Sequence, residues 1–256
     1  MKPLFGPAGR AALATLLTHR RLLLAFDFDG TLAPIVARPD DARIPLAVAR
    51  RMAQLCRRWP VAVITGRAVA DVVPRLGFEP RFVVGNHGIE DPHEPCELLP
   101  GRWSMALDPL RHALSERAAA LAESGVAVED KRLSIALHYR LAPDPARARR
   151  TIDDLVAAAA RGLVVGDGKA VVNLMPPGAP DKGDALLALA HRCQAEAGLF
   201  VGDDDNDEAA FRKAPRGWLT LRIGPAPLRS HARYYIDGVS QLPVFLQAVL
   251  EHPPAD

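Results

Sequence analysis

The sequence predicts an α/β protein in which a parallel-sheet core is interrupted by an inserted α+β cap domain. Three short apolar runs, at 22–26, 61–64 and 199–202, alternate with segments of helical periodicity, which is typical of parallel strands joined by crossover helices. Prolines and glycines cluster at 92–101 and again at 176–178, and a helix–strand–strand order occurs twice between these breaks. The expected domain limits are 1–100 and 178–256 for the core and 101–177 for the cap.

The first predicted strand, Leu22–Phe26, ends in the sequence Asp27-Phe28-Asp29-Gly30. Residues two positions apart on a strand face the same side, so Asp27 and Asp29 can converge on one substrate, and Gly30 permits a sharp departure of the chain. Two carboxylates this close repel each other unless a cation lies between them, and oxygen ligands suit Mg²⁺. A strand end followed by an Asx turn is the plainer alternative for a bare Asp-x-Asp.

The next predicted strand brings further polar groups to the same place. The run Val61–Ile64 ends in Thr65-Gly66-Arg67 after a helix predicted at 46–58. Strand, helix and strand in this order imply a right-handed parallel crossover, which places Thr65 at the same sheet edge as Asp27. There a hydroxyl and backbone N–H groups can bind the oxygens of a phosphoryl group. An N-cap role for Thr65 is the alternative.

The remaining predicted core elements are short. The strand beginning at Phe82 runs into a turn that contains Asn86 and His87, and a lone histidine in such a turn is more often structural than catalytic. The other elements are a first helix at 8–18, a helix beginning near Lys182, late edge strands at 218–221 and 234–236, and a closing helix at 243–250.

A second acidic cluster follows the apolar run at 199–202. Five of the six positions from Asp203 to Glu208 are acidic. Such a run can be a solvated loop, but acids packed this densely after a strand repel one another without a cation. We therefore favour a metal site, because carboxylate oxygens are ligands that suit Mg²⁺.

The cap is predicted as two helix–strand–strand units. The elements are a helix from Asp108 to about Glu123, strands at 126–130 and 133–141, a helix from 145 to 160, and a hairpin with its turn at Gly166-Asp167-Gly168 and its second strand at 169–175. Alternation along the strands gives one polar face, which can hydrogen-bond a polar ligand; a face turned to solvent is the alternative. Its residues are Glu129, Lys131, His138, Arg140, Lys169 and Asn173.

Composition narrows the class of protein. The 256 residues carry a net charge of +2, with 24% charged and 5% aromatic residues and no dense basic block, so we expect no nucleic-acid partner. The three cysteines lack a Cys-x-x-Cys spacing, which argues against a disulfide framework and a zinc site and favours the cytoplasm. No segment approaches the roughly 18 apolar residues that span a membrane. We expect a soluble, unprocessed monomer without a membrane partner.

Four separated segments occur in the order found in the haloacid dehalogenase superfamily of phosphatases, which the chain resembles. They are Asp27-Phe-Asp29-Gly-Thr-Leu, Thr65, Lys182 and Gly202-Asp203-Asp204. The resemblance implies a haloacid dehalogenase-like (Rossmann-like) core. It implies that Asp27 is the nucleophile, that Asp29 is the general acid and base, and that Thr65 and Lys182 anchor the phosphate. It also implies Mg²⁺ as the cofactor, with Asp27, Asp29 and Asp203 as its ligands.

A narrower resemblance, to trehalose-6-phosphate phosphatases, covers most of the chain. Its motifs are Gly85–Glu90, Val128–Lys131, Ala136–Arg140, Gly168-Lys169 and Gly202–Phe211. The resemblance implies a small sugar phosphate as partner and Mg²⁺-dependent hydrolysis of trehalose 6-phosphate. It also implies substrate contacts from the polar face of the cap and from Gly66, Arg67 and His87. The family usually has Thr where Asn206 stands and Glu where Asn173 stands, and the second departure leaves the identity of the sugar open.

Three other functions are compatible with the residues. A phosphatase for another glycosyl phosphate, such as sucrose phosphate, glucosylglycerol phosphate or glucosylglycerate phosphate, would keep the mechanism and change the sugar. A phosphosugar mutase would retain the phosphate, and phosphate release without a bisphosphate requirement separates it from a phosphatase. A non-catalytic sugar-phosphate sensor would have no need of the nucleophile Asp27.

Overall fold

The computed structural model describes residues 1–93, 99–225 and 230–252. The chain divides into two compact units, the core, Met1–Asp91 with Pro180–Asp256, and the cap, Pro92–Ala179. The sequence places these limits at 100/101 and 177/178. Pro95 and Cys96, which belong to the predicted break and to the cysteine pattern, lie outside the described residues.

The elements follow one another in three stretches of chain. The first core stretch contains β1 (Lys2–Pro3), α1 (Pro7–Leu17), β2 (Leu22–Phe26), α2 (Leu46–Cys56), β3 (Val61–Ile64), α3 (Val69–Val72) and β4 (Phe82–Val84). The cap contains α4 (Leu99–Ala106), α5 (Asp108–Glu116), α6 (Ala118–Glu123), β5 (Ala127–Asp130), β6 (Ile135–His138), α7 (Pro145–Ala159), β7 (Val164–Gly168) and β8 (Val171–Met175). The second core stretch contains α8 (Lys182–Arg192), β9 (Ala197–Gly202), α9 (Glu208–Lys213), β10 (Leu219–Ile223), β11 (Tyr234–Ile236) and α10 (Leu242–Glu251).

A parallel sheet of seven strands forms the centre of the core, in the order β1-β11-β10-β9-β2-β3-β4. All five residues of β2 are buried. Leu24 packs with Met52 and Phe245 on one face of the sheet, whereas Leu23 packs with Leu186 on the other. Both faces of β2 are therefore covered, which explains why its sequence is apolar without alternation.

The prediction that the last two strands lie at the edge of the sheet was wrong. β10 pairs with both β9 and β11, and β11 also pairs with β1, where Lys2 lies opposite Tyr234. β1 is the edge strand on this side of the sheet, and β4 is the edge strand on the other. It was missed because two residues are too few to show any hydrophobic period.

The cap contains an antiparallel sheet in the order β5-β6-β8-β7. One face of this sheet is apolar: Ile135, Leu137, Val172 and Leu174 are buried in a cluster with side chains of α5 and α7, among them Leu110, Ile152 and Leu155. The predicted order of helix, strand and strand, repeated once, is present. The predicted helix from Asp108 to Glu123 is interrupted at Arg117, and α4 precedes it.

The predicted hairpin turn at Gly166–Gly168 was wrong. Those residues belong to β7, Gly168 lies opposite Val171, and the turn consists of Lys169 and Ala170, the latter with φ of 61°. Asp167 pairs with Val172 of β8, and its carboxylate accepts a hydrogen bond of 2.7 Å from Arg149 of α7. Lys169 therefore lies in a turn and does not share a strand face with Asn173.

β6 is also shorter than predicted, because it ends at His138 and leaves Arg140 in the turn that follows. Within the described ranges, no helix is both long and apolar enough to cross a membrane. The described cysteines, Cys56 and Cys193, carry free thiols.

Candidate active site

Three neighbouring strands deliver polar residues to one edge of the core sheet. β9, β2 and β3 are adjacent and parallel, so their carboxyl ends meet at the same edge. Asp203 follows β9, Asp27 follows β2 and Thr65 follows β3. The backbone N–H of Asp27 continues the ladder by donating to the carbonyl of Val201 at 2.9 Å. The order of the strands therefore brings the residues that follow β9, β2 and β3 to the same edge of the sheet.

Lys182 connects two aspartates in this cluster. Its Nζ donates to Asp27 Oδ1 at 2.8 Å and to Asp207 Oδ1 at 2.7 Å, and all three side chains are buried. Lys182 is the first residue of α8, whose start is fixed by a capping box between Asp181 and Asp184. Because the backbone at the start of α8 is held by its own cap, the ammonium group reaches the aspartates from a fixed point.

Asp207 also orders the acidic loop. Its Oδ2 accepts hydrogen bonds from the backbone N–H groups of Asp203, at 2.8 Å, and Asp204, at 3.0 Å. The side chain of Asp204 accepts in turn from the N–H of Asp205, and Asp204 and Asp207 form a second capping box. From the sequence, Asp207 is one acid of the predicted metal cluster, and whether it contacts the metal is left open. Its spacing of three residues from Asp204, just before α9, is the signal that could have predicted the capping box.

Asp203 is buried beside the loop that follows β2. Its Oδ1 accepts from Thr31 Oγ1 at 3.2 Å. Gly30 has φ of +80°, and a Cβ placed there would lie 2.1 Å from Asp203 Oδ2. The glycine therefore provides both the left-handed backbone and the space that the Asp203 carboxylate occupies.

The charges of the cluster do not cancel. Asp27, Asp203 and Asp207 are buried with Lys182, which gives three carboxyl groups and one ammonium group. Burial raises the pKa of Asp27 well above its ordinary value; Lys182 opposes this effect, and Asp207 and Asp203 add to it. Burial alone would lower the pKa of Lys182, but Asp207 and Asp27 outweigh it and raise that pKa. An excess of negative charge is thus concentrated here.

A divalent cation fits this excess. Asp27, Asp203 and Asp207 each offer a carboxylate oxygen within 4.8 Å of the others, which makes an all-oxygen donor set of the kind that Mg²⁺ prefers. Both oxygens of Asp207 already accept hydrogen bonds, from Lys182 and from two backbone N–H groups. Asp27 and Asp203 are therefore the better placed ligands.

The carboxylate of Asp29 is held by an arginine and is not one of the clustered carboxylates. Arg67 donates to it twice, from Nε to Oδ2 at 2.7 Å and from an Nη to Oδ1 at 2.8 Å. The side chain of Asp29 is 38% exposed, whereas that of Arg67 is 9% exposed. Burial would lower the pKa of Arg67, but the hydrogen bonds and charge of Asp29 outweigh it and raise that pKa. The prediction that Asp29 is a metal ligand stays a prediction. In this structure both of its carboxylate oxygens accept hydrogen bonds from Arg67, which does not favour metal binding by the carboxylate.

The loops after β3 and β4 pack against each other. The N–H of His87 donates to the carbonyl of Thr65 at 2.9 Å, and the N–H of Asn86 donates to that of Arg67 at 2.8 Å. A Cβ at Gly66 would lie 2.4 Å from the His87 ring, so the glycine makes room for the imidazole. The hydroxyl of Thr65 accepts from the N–H of Arg67 at 3.2 Å. Thr65, Gly66, Arg67 and His87 therefore form one packed unit.

The polar residues predicted for the cap separate into two groups and one further residue, Asn173. The carboxylate of Glu129 lies 2.8 Å from His138 Nε2 and 3.7 Å from Lys131 Nζ. Arg140 donates to the carbonyl of Lys169 at 2.7 Å, which joins two turns. Asn173 is buried on β8, opposite Ala136 of β6 and Gly166 of β7. Of the predicted polar face, Glu129, Lys131 and His138 form one contiguous cluster.

Comparison with known proteins identifies close relatives of this chain. A family model described as trehalose-phosphatase matches residues 25–218. A Mycobacterium tuberculosis protein named as an uncharacterized glycosyl hydrolase is 38% identical over 218 residues, which are 78% of this chain and 16% of that protein. The trehalose-phosphate phosphatase of M. tuberculosis is 36% identical over 216 residues, which are 78% of this chain and 53% of that enzyme. The chain therefore spans about half or less of the length of these curated relatives.

A solved structure has the same fold. The C-terminal domain of C. albicans trehalose-6-phosphate phosphatase superposes with a TM-score of 0.77 at 21% identity, covering 98% of this chain and 98% of that domain. The predicted fold class, a haloacid dehalogenase-like core with an inserted α+β cap, is confirmed.

We expect Gly30→Ala to weaken Mg²⁺ binding, because the new methyl group would collide with the Asp203 carboxylate. Gly77→Ala is the matched control, since Gly77 also has a positive φ, of +68°, but its Cβ would meet only Ala49 at 3.6 Å. Both variants should lose about 1–2 kcal/mol of unfolding free energy from backbone strain. Only Gly30→Ala should lose Mg²⁺ affinity, by about tenfold or more, measured by calorimetric titration. Equal affinities in the two variants would contradict the assignment of Asp203 as a ligand.

Proposed function

The chain belongs to the trehalose-phosphatase family, and from that premise we propose that it is a Mg²⁺-dependent phosphatase that hydrolyses trehalose 6-phosphate to trehalose and phosphate. The observation that carries this proposal is the buried cluster of Asp27, Lys182, Asp203 and Asp207. A carboxylate nucleophile, a cation beside it and a divalent-ion donor set are the groups that transfer of a phosphoryl group to an aspartate requires.

In this proposal Asp27 attacks the phosphorus, the bond to the sugar oxygen breaks, and an aspartyl phosphate forms. Asp29 gives its proton to the departing sugar oxygen and then takes a proton from the water that hydrolyses the intermediate. Lys182 has three N–H donors, of which two bind Asp27 and Asp207, and the third serves a phosphate oxygen. Mg²⁺ held by Asp27 and Asp203 would offset the repulsion between the carboxylate and the phosphate.

The test of this function is a phosphate-release assay on a panel of esters: trehalose 6-phosphate, sucrose 6-phosphate, glucose 6-phosphate and an aryl phosphate. We expect the highest kcat/KM for trehalose 6-phosphate, complete loss of turnover with EDTA and recovery on addition of Mg²⁺. No phosphate release from any sugar phosphate in the presence of Mg²⁺ would overturn the proposal.

Position 173 favours a second candidate substrate. The family usually has Glu at this position, and a Glu carboxylate accepts hydrogen bonds from sugar hydroxyls with a full charge. The Asn173 present here is shorter and neutral, and its amide is both a donor and an acceptor. A phosphatase fitted to another glycosyl phosphate, with the same core chemistry, is therefore the alternative. A higher kcat/KM for a different disaccharide or glycosyl phosphate in the same panel would select it.

We expect Asp27→Asn to lower kcat by at least about a thousandfold, because the amide cannot act as the nucleophile. Asp205→Asn is the control, since Asp205 lies in the same acidic run but is 72% exposed. Its kcat should stay within about twofold of the wild type. The measurements are phosphate release and thermal unfolding, and a rate above about a tenth of wild type in Asp27→Asn would remove this residue from the nucleophile role.

We expect Glu129→Gln to reduce kcat/KM for trehalose 6-phosphate by about tenfold while sparing an aryl phosphate, since the proposed contacts are to hydroxyls that only the sugar has. The control is Asp130→Asn, on the same strand but the opposite face, where the carboxylate binds Arg111. The pKa of Asp130 is lowered mainly by that arginine. Removing the charge of Asp130 should therefore affect stability and leave substrate preference unchanged. Equal losses on both esters in Glu129→Gln would assign Glu129 to the cap's stability.

A further inference from the structure

A chain of ion pairs leads away from Asp29. Arg67 lies two residues before α3, Asp71 lies on α3, and Arg75 lies at the end of the helical turn Val73–Arg75. Arg67 donates to Asp71 Oδ2 at 2.7 Å, and Arg75 donates from Nε to Asp71 Oδ1 at 3.0 Å. Asp71 therefore lies between two arginines and accepts from both.

The Arg67 guanidinium is fully committed to fixed partners. Nε and one Nη hold Asp29, that same Nη also donates to the carbonyl of Pro39 at 2.9 Å, and the other Nη donates to Asp71. The guanidinium carbon also lies 5.2 Å from the centre of the Phe28 ring. A planar fork with every nitrogen occupied has one orientation, and this orientation sets where the Asp29 carboxylate lies.

Arg75 fixes the far end of the chain. It donates to the carbonyl of Asp40 at 2.7 Å and to its Oδ1 at 3.2 Å, and its side chain is only 11% exposed. Burial would raise the pKa of Asp71, but hydrogen bonds from Arg75 and Arg67 outweigh it and lower that pKa. The two arginines that bind Asp71 therefore also bind the helical turn at 39–41.

We propose that Asp71 is a positioning residue for Asp29, acting through Arg67. Asp71 orients the guanidinium, and the guanidinium sets the position and orientation of the Asp29 carboxylate. The proposal rests on the proposed function, because Asp29 is the proton-transfer group only in that function. Neither Asp71 nor Arg75 belongs to the motifs that carry the family resemblance.

The first test is the steady-state kinetics of Asp71→Asn, which removes the charge and keeps the shape. We expect kcat for the sugar phosphate to fall by about tenfold to a hundredfold, because a small misplacement of a reacting group costs that much. KM should stay within about twofold, since no substrate contact is lost. An aryl phosphate, whose leaving group departs without a proton, should lose less. Asp153→Asn is the matched control, because Arg149 and Asp153 form a pair of the same spacing on α7 of the cap.

A double-mutant cycle separates positioning from a structural role. In an Asp29→Asn background the residual turnover of the sugar phosphate should be insensitive to Asp71→Asn, because the group that Asp71 positions is gone. A structural role would lower both backgrounds by the same factor. Arg75→Gln, which loosens Asp71 without touching Arg67, should move kcat in the same direction by a smaller factor and serves if Asp71→Asn fails to fold.

The outcomes are distinguishable. A wild-type protein that releases no phosphate from any sugar phosphate overturns the proposed function. A wild-type protein that is active while Asp71→Asn has an unchanged or higher kcat, or the same loss in both backgrounds, overturns the positioning role alone. A loss of kcat that vanishes in the Asp29→Asn background supports it.

Discussion

The excess of negative charge around Lys182 is the constraint on which the core site depends. Three buried carboxyl groups lie together with one ammonium group, which binds two of them, and a buried carboxylate without a cation is costly. The fold meets this constraint from two directions. The capping box at Asp181 fixes the lysine at the start of α8, and Asp207 fixes both that lysine and the acidic loop. A divalent cation would balance the negative charge that remains.

The two aspartates of Asp-x-Asp have different partners. Asp27 is buried and forms an ion pair with Lys182, whereas Asp29 is partly exposed and forms an ion pair with Arg67. Two carboxylates two residues apart would compete for one proton or one ion if they shared a site. Separate cations at the ends of neighbouring elements hold them apart, which allows one to act as nucleophile while the other transfers protons in the proposed reaction.

The two faces of the cap sheet differ in polarity. Its apolar face, which includes Ile135, Leu137 and Val172, packs on helices and stabilises the sheet, while Glu129 and His138 join on the opposite face. Alternation along the strands was enough to predict these faces, because side chains on a strand have a period of two. The turn and the ends of the strands were not predictable, because the pairing of β7 with β8 extends through Gly166, Asp167 and Gly168, which read as turn residues in the sequence.

The sequence by itself determined the parallel sheet, the inserted cap and the arrival of Asp27 and Thr65 at one edge, because these follow from hydrophobic period, chain order and the handedness of crossovers. Asp203 was added to this edge by the family resemblance. Only the tertiary structure decided which carboxylates meet. Asp207, four residues beyond Asp203, turns back to Lys182, and Asp29 turns away to Arg67. These partners are 25 and 38 residues apart in the chain and are brought together by packing, so no short sequence pattern predicts which cation each carboxylate binds.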